Sequence, residues 1–118
     1  MARVSVTDGT LVVEVEGIDK LWALKSRLEI PLANVRGATI DPGMAHESRG
    51  IKLLGTHMPG LITAGTFRSH GDRVFWDVKN PAGAIVIELA DENYTRLILE
   101  VADPRATVRL IEQAKRPA

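Results

Sequence analysis

Cysteine is absent from the 118 residues of this chain, and several kinds of protein are excluded with it. A disulfide framework, a thiolate zinc site and a cysteine nucleophile all require the missing side chain. The fold must therefore be held together by packing, which is typical of a reducing compartment. We accordingly expect a cytoplasmic protein.

Net charge is also missing, because 15 basic side chains balance 15 acidic ones. Domains that bind nucleic acid usually carry a basic face, so we expect no nucleic-acid partner. No stretch approaches the roughly 20 apolar residues of a membrane helix, and the first residues lack the apolar run of a signal peptide. Membrane contact is therefore expected to be peripheral at most. The length and the 45% hydrophobic fraction predict one globular domain over 1–118.

Alternation of apolar and polar residues dominates the pattern and predicts about eight short strands. Glycine, proline, asparagine and aspartate separate them as turn residues. A short apolar run at 51–54 precedes a segment, Gly55 to Gly60, whose Pro59-Gly60 pair is typical of a type II turn. The predicted strands are 3–7, 10–16, 26–31, 35–40, 61–68, 73–78, 84–89 and 94–101.

Two segments change to the helical period. The first, near 18–24, is a short amphipathic helix. The second, 103–115, begins at Asp103 as the capping residue, followed by Pro104 at the first helical position. Strands that follow one another through short turns favour an antiparallel barrel, and a C-terminal helix can close its open end with Leu110 and Ile111.

Several segments also resemble the uncharacterised bacterial pleckstrin-homology (PH) domain families. The resemblance spans nearly the whole chain and implies an α+β fold, a PH-like antiparallel barrel of about 7–8 strands with a capping helix. A lipocalin-like barrel is the alternative, although 118 residues are few for a wide ligand cavity. The segments that carry the resemblance are Leu21-Trp22-Ala23-Leu24, Leu28-Glu29-Ile30-Pro31-Leu32, Gly55-Thr56-His57-Met58-Pro59-Gly60, Gly65-Thr66-Phe67, Ile85-Val86-Ile87-Glu88-Leu89 and Asp103-Pro104.

These motifs are structural, and the rest of the chain offers no clear catalytic pattern. The histidines, His46, His57 and His70, fall in predicted turns at spacings that fit no zinc site. Ser69 precedes His70, but without the glycine pattern of a nucleophile elbow. We therefore expect neither an enzyme nor a metal or cofactor site.

Lipid headgroups are the ligands that the PH resemblance implies. PH domains that bind phosphoinositides place basic residues at the first strand pair, where this chain has Lys20, Lys25 and Arg27. Asp19 and Glu29 dilute that charge, and the helix near 18–24 intervenes. Binding of anionic lipid is therefore an alternative hypothesis; a small-ligand barrel is another.

Contact with protein is the hypothesis that we favour. Phe75 and Trp76 are adjacent in a strand, so they point to opposite faces of the sheet and cannot share one core. Trp76 then either faces outward as an interface residue or packs in a second layer, under the 42–50 loop or the 18–24 helix. With His57 and Met58 beside the Pro59-Gly60 turn, it forms our set of candidate binding residues for a protein partner or a second copy of the chain.

Overall fold

The computed structural model describes residues 1–16, 27–40, 51–58, 62–69 and 71–115, of which 51–58, 62 and 69 are described by their backbone. The fold is α+β, with strands in two sheets and a C-terminal helix. The predicted helix near 18–24 lies outside the described residues. Within the described part of the chain, no helix has the length and apolar character needed to cross a membrane.

The first sheet is an antiparallel meander of three strands in the order β1-β2-β3. Asp8 and Gly9 have positive φ angles in the tight turn between the first two strands, as the Asp-Gly pair predicts. Its strands are β1 (Ala2–Thr7), β2 (Thr10–Val15) and β3 (Arg27–Pro31). A 3-10 turn, Leu32–Asn34, leads from this sheet into the next.

The second sheet has six strands in the order β4-β8-β9-β7-β6-β5. A second 3-10 turn, Pro81–Gly83, lies between β7 and β8. The strand β5 is longer than the predicted apolar run, because it continues through Gly55, which pairs with Gly65 on β6. The strands are β4 (Val35–Ile40), β5 (Ile51–Met58), β6 (Ile62–Ser69), β7 (Asp72–Val78), β8 (Ala84–Leu89) and β9 (Arg96–Glu100).

The expected closed antiparallel barrel is wrong in two respects. First, β9 lies between β7 and β8 and runs parallel to β7, so the chain leaves the meander. Second, β4 and β5 are the outer strands of the sheet, and among the described strands no ladder joins its edges to each other or to the three-stranded sheet. The physical reason that the β4 edge does not pair with another strand is that the C-terminal helix contacts it. Glu112 of that helix accepts a hydrogen bond from the backbone N–H of Ala38 on β4.

The helix α1 (Pro104–Lys115) begins as the sequence predicts. Asp103 caps it, accepting a hydrogen bond at Oδ1 from the backbone N–H of Ala106. Ile111 is fully buried, as expected, but Leu110 is 39% exposed and is not part of a plug. Adjacent helical residues point about 100° apart, so only one of the two can face the sheets. The helix packs mainly on β4 and also contacts β1 and β8.

Two hydrophobic clusters lie on opposite faces of the six-stranded sheet, because neighbouring strand residues alternate between faces. The main cluster joins that sheet to the inner face of the three-stranded sheet and to Ile111. We call the other the second cluster; its buried members are Phe67, Val74, Trp76, Val78, Ala84, Val86 and Ile98.

Candidate functional site

Trp76 packs in the second layer rather than facing solvent. Its side chain is 2% exposed, and its ring meets that of Phe67 edge-on, with centroids 6.5 Å apart. Its cross-strand neighbour on β6 is Gly65, which has no side chain. The outward placement is therefore wrong, because Trp76 is buried, while the 42–50 and 18–24 segments that were expected to cover it lie outside the described residues. In this conformation Trp76 offers almost no surface to a partner.

The basic residues proposed for lipid are only partly placed. Lys20 and Lys25 lie outside the described residues. Arg27, at the start of β3, is exposed and donates to Glu29 Oε1 from Nη2 at 3.0 Å. Its Nη1 lies 3.9 Å from Glu14 Oε1 on the neighbouring strand. Two carboxylates therefore offset its charge, which weakens the site that the lipid hypothesis requires.

His57 and Met58 lie at the end of β5, not in a turn. His57 pairs with Thr63 and Met58 with Ile62 on β6. The bulge in this ladder falls between Lys52 and Leu54, so the regular part of β5 is Leu54–Met58. Since β5 is an outer strand of the six-stranded sheet, His57 and Met58 lie on an edge of that sheet.

An unpaired edge strand offers a row of backbone N–H and C=O groups, which natural proteins usually protect. Three of the four edge strands here carry a recognisable protection. The edge of β4 is contacted by α1, which supplies the Glu112 hydrogen bond to Ala38, and β1 also touches the helix. The strand β3 is only five residues long, carries two charges, and ends at Pro31.

The edge of β5 differs from these three. It is eight residues long and pairs with β6 on one side, and no described residue forms a ladder with its other side. Its bulge protects only the first few residues. The regular part, Leu54–Met58, therefore has no described strand on its outer side, which is the geometry that strand addition requires. We take this stretch, which we call the β5 edge, as the candidate site.

One buried acid is a feature that the sequence analysis missed. Asp77 on β7 is 0% exposed and lies on the face of the main cluster, between Val78 and Trp76 in sequence. Burial raises the pKa of its carboxyl above the usual value, and Glu100 adds to that effect, while the amino group of Met1 and Lys79 oppose it. The signal was present, since a polar residue in the apolar run Val74–Val78 is unusual for a central strand.

Two further described polar contacts lie away from the β5 edge. Thr66 and Tyr94 share a buried hydrogen bond of 2.8 Å between their hydroxyl oxygens. Glu100 accepts the backbone N–H of Lys79, which fixes the connection that leaves β7. Across the described ranges, no group of three or more histidine, aspartate or glutamate side chains is placed to hold a metal ion.

The chain matches no model of a protein family, no curated protein and no solved structure.

Proposed function

We propose that this chain is a non-catalytic interaction module that associates with protein, either a partner or a second copy of itself, by strand addition at the β5 edge. The observation that carries the proposal is the contrast among the four edge strands: β5 has a regular five-residue stretch without a described neighbour, whereas the others are short, charged or contacted by the helix. Main-chain hydrogen bonds along such an edge supply affinity without a deep pocket.

Kinship with the bacterial PH-domain families belongs to the same proposal. It is supported by a run of short strands that ends in a single C-terminal helix, and by the three-stranded antiparallel sheet at the start of the chain. The parallel pairing of β7 with β9 departs from the expected meander, so the kinship is proposed for the general arrangement and not for the strand order.

Protein is favoured over the other two ligands by what the structure places at each site. Peripheral lipid binding through Lys20, Lys25 and Arg27 stays a prediction, and the two carboxylates around Arg27 weaken it. A small-ligand barrel presupposes closure, which the described strand pairing does not provide. The β5 edge requires only backbone groups, which β5 presents whatever its side chains are.

Two adjacent proline substitutions on β5 test the proposal. Backbone N–H groups of an edge strand point alternately toward its neighbour and away from it. Of Thr56→Pro and His57→Pro, one therefore removes an N–H that pairs with β6 and the other removes an N–H on the open side. The inward variant is the matched control, which we expect to lose stability. The outward variant should keep the wild-type unfolding transition.

Association is then measured by light scattering over a wide concentration range, and by selection of extended peptides from a displayed random library. We expect oligomers or selected peptides that bind the wild type and are lost with the outward proline variant. A chain that stays monomeric and selects no peptide contradicts the proposal. Binding that survives the outward proline equally well places the interface elsewhere.

A further inference from the structure

Two arginines lie directly opposite each other near the end of the β6–β7 pair. In the antiparallel register Arg68 is the partner of Arg73, and the preceding pair on the same face is Thr66 with Phe75. Both arginine side chains are exposed. Side chains directly opposite each other have Cβ atoms about 4.5–5.5 Å apart, and two like charges at this spacing destabilise a sheet. An anion between the two guanidinium groups would reverse that effect.

Both arginines belong to the face of the main cluster. Arg73 is two positions from Phe75, and Arg68 is four positions from Ala64; both of these apolar residues are members of that cluster. On the side away from β6, the residue that bonds to the Arg73 carbonyl is the neutral Thr95. Within the described part of the chain, neither guanidinium group has an acidic partner within ion-pair distance.

The other face of the sheet differs at the same end. Asp72 precedes Arg73 in sequence, so its side chain points to the face of the second cluster. There its Oδ2 lies 3.6 Å from Nη2 of Arg96 on β9. The acid nearest in sequence is therefore paired with a different arginine, and the two faces are unequal: one has a matched pair of charges and the other has two positive charges.

One of the two guanidinium groups is already held in place. Cζ of Arg73 lies 5.8 Å from the centroid of the Tyr94 ring, which is within the range of a cation–π contact. That ring is fixed in turn, because its hydroxyl shares a 2.8 Å hydrogen bond with Thr66 and the ring meets Phe75 edge-on. A group that is ordered before a ligand arrives loses less conformational freedom on binding.

We propose that Arg68 and Arg73 form a binding site for a phosphate group, whose oxygens accept hydrogen bonds from both guanidinium groups. The planar donor fork of arginine matches the oxygens of phosphate. Two positive charges favour a doubly charged phosphate over a singly charged carboxylate. A soluble phosphate compound and a lipid headgroup present the same oxygens, so either can be the source. This inference is independent of the β5 edge.

Titration of the full chain with inorganic phosphate tests the inference at about pH 7.5, where a phosphate group carries close to two charges. Chloride keeps the ionic strength constant, and NMR follows the arginine Nε–H signals. We expect saturable shifts at Arg68 and Arg73, and weaker binding of acetate. Arg68→Gln should weaken phosphate binding by about 10-fold to 100-fold, the loss of one charge-assisted hydrogen bond.

The matched control is Arg105→Gln, which removes the same charge from an exposed position on α1. Its affinity for phosphate should equal that of the wild type. An equal loss in Arg68→Gln and Arg105→Gln overturns the inference, because the effect then reflects net charge alone. Absence of saturable shifts in the wild type overturns it as well, and so does acetate binding as tightly as phosphate.

Thermal unfolding provides a second measurement. In chloride, Arg68→Gln should unfold at a Tm no lower than that of the wild type, because the variant removes one of two opposed like charges. Adding phosphate should raise the Tm of the wild type and of Arg105→Gln, since a ligand that binds the folded state stabilises it. An equal rise in Arg68→Gln contradicts the proposed site.

Vesicles distinguish the two sources of the phosphate group. Phosphatidylcholine vesicles are prepared with and without phosphatidic acid, and co-sedimentation is measured for the wild type and Arg68→Gln. Retention of the wild type alone, and only with phosphatidic acid, supports a lipid headgroup as the ligand. Retention that survives Arg68→Gln comes from another surface and, like no retention, supports a soluble phosphate compound when the titration is positive.

Discussion

The two faces of the six-stranded sheet are both buried, but they are built differently. The main cluster joins three elements, namely both sheets and the helix, and encloses polar groups: Asp77, and the hydroxyls of Thr66 and Tyr94. Among the described residues, the apolar members of the second cluster all come from the six-stranded sheet, with Trp76 as the largest side chain. The main cluster therefore joins the two sheets and the helix, whereas the described part of the second cluster joins strands of one sheet.

Truncating the two adjacent aromatic residues is the strongest test of this comparison. Phe75→Ala and Trp76→Ala should each lower the free energy of unfolding by about 3–5 kcal/mol, because both side chains are buried. Urea denaturation followed by circular dichroism measures the losses. Hydrogen exchange should separate the two variants, with β2 losing protection beyond the global change only in Phe75→Ala. A loss below about 1 kcal/mol in Trp76→Ala contradicts a packed second face.

The helix provides the next largest effect, since it contributes one buried residue to the main cluster. Ile111→Ala should lower the free energy of unfolding by about 2–5 kcal/mol. Leu110→Ala, the neighbouring position that is 39% exposed, should stay within about 0.5 kcal/mol of the wild type. Thermal unfolding of both variants checks the contrast. Similar losses would mean that the helix packs through a wider face than described.

Asp77 should make the stability of the main cluster depend on pH. Its folded-state pKa is raised, so between about pH 3.8 and the raised value the folded chain binds more protons than the unfolded chain. This contribution to stability is present at acid pH and is lost as pH rises through the folded-state pKa. Asp77→Asn removes it. The stability of Asp77→Asn relative to the wild type should therefore increase from pH 4 to pH 7, as urea midpoints can show. A relative stability that falls over that range contradicts the assignment.

The smallest expected effect concerns the buried hydroxyl pair of Thr66 and Tyr94 on the main-cluster face. Tyr94→Phe should lower the free energy of unfolding by about 1–2 kcal/mol, because Thr66 Oγ1 is left without its 2.8 Å contact. Replacing both partners, with Thr66→Val added, should recover part of the loss, since the unpaired group is then gone. A double variant that loses the sum of both single effects shows that the two hydroxyls act independently.

Much of the local structure was predictable from the sequence, because its signals are local. The strand β4 matches the predicted 35–40 fully, and Asp103 caps the last helix as predicted. The predicted apolar run ended at residue 54, because Gly55 is typical of the start of a turn, whereas in the structure β5 continues and Gly55 pairs with Gly65. Alternation marks where a strand lies, but it does not say which strand it pairs with, and so the barrel was wrong.

One sequence pattern could have corrected the strand order, namely the consecutive apolar residues Leu97, Ile98 and Leu99. Such a run is typical of a central strand covered on both faces, and all three residues are buried in the structure. The candidate site was less accessible to prediction, because an open edge is a property of strand order and of the helix position. His57 and Met58 were chosen for their place beside Pro59-Gly60, and their location on the outer strand follows from pairing that the sequence does not display.

The position of β9 has a consequence for how the chain folds. The strands β7 and β8 are two positions apart in the sheet, with β9 between them. The five residues 79–83 are long enough to connect them across β9, since neighbouring strands are about 4.8 Å apart. The gap between them is filled only when β9 arrives, after both have been synthesised. A direct hairpin of β7 with β8 competes locally with that arrangement and has a shorter loop to close. We therefore expect β9 to insert late in refolding, after the rate-limiting step, so that substitutions at Leu97 or Leu99 speed unfolding more than they slow folding.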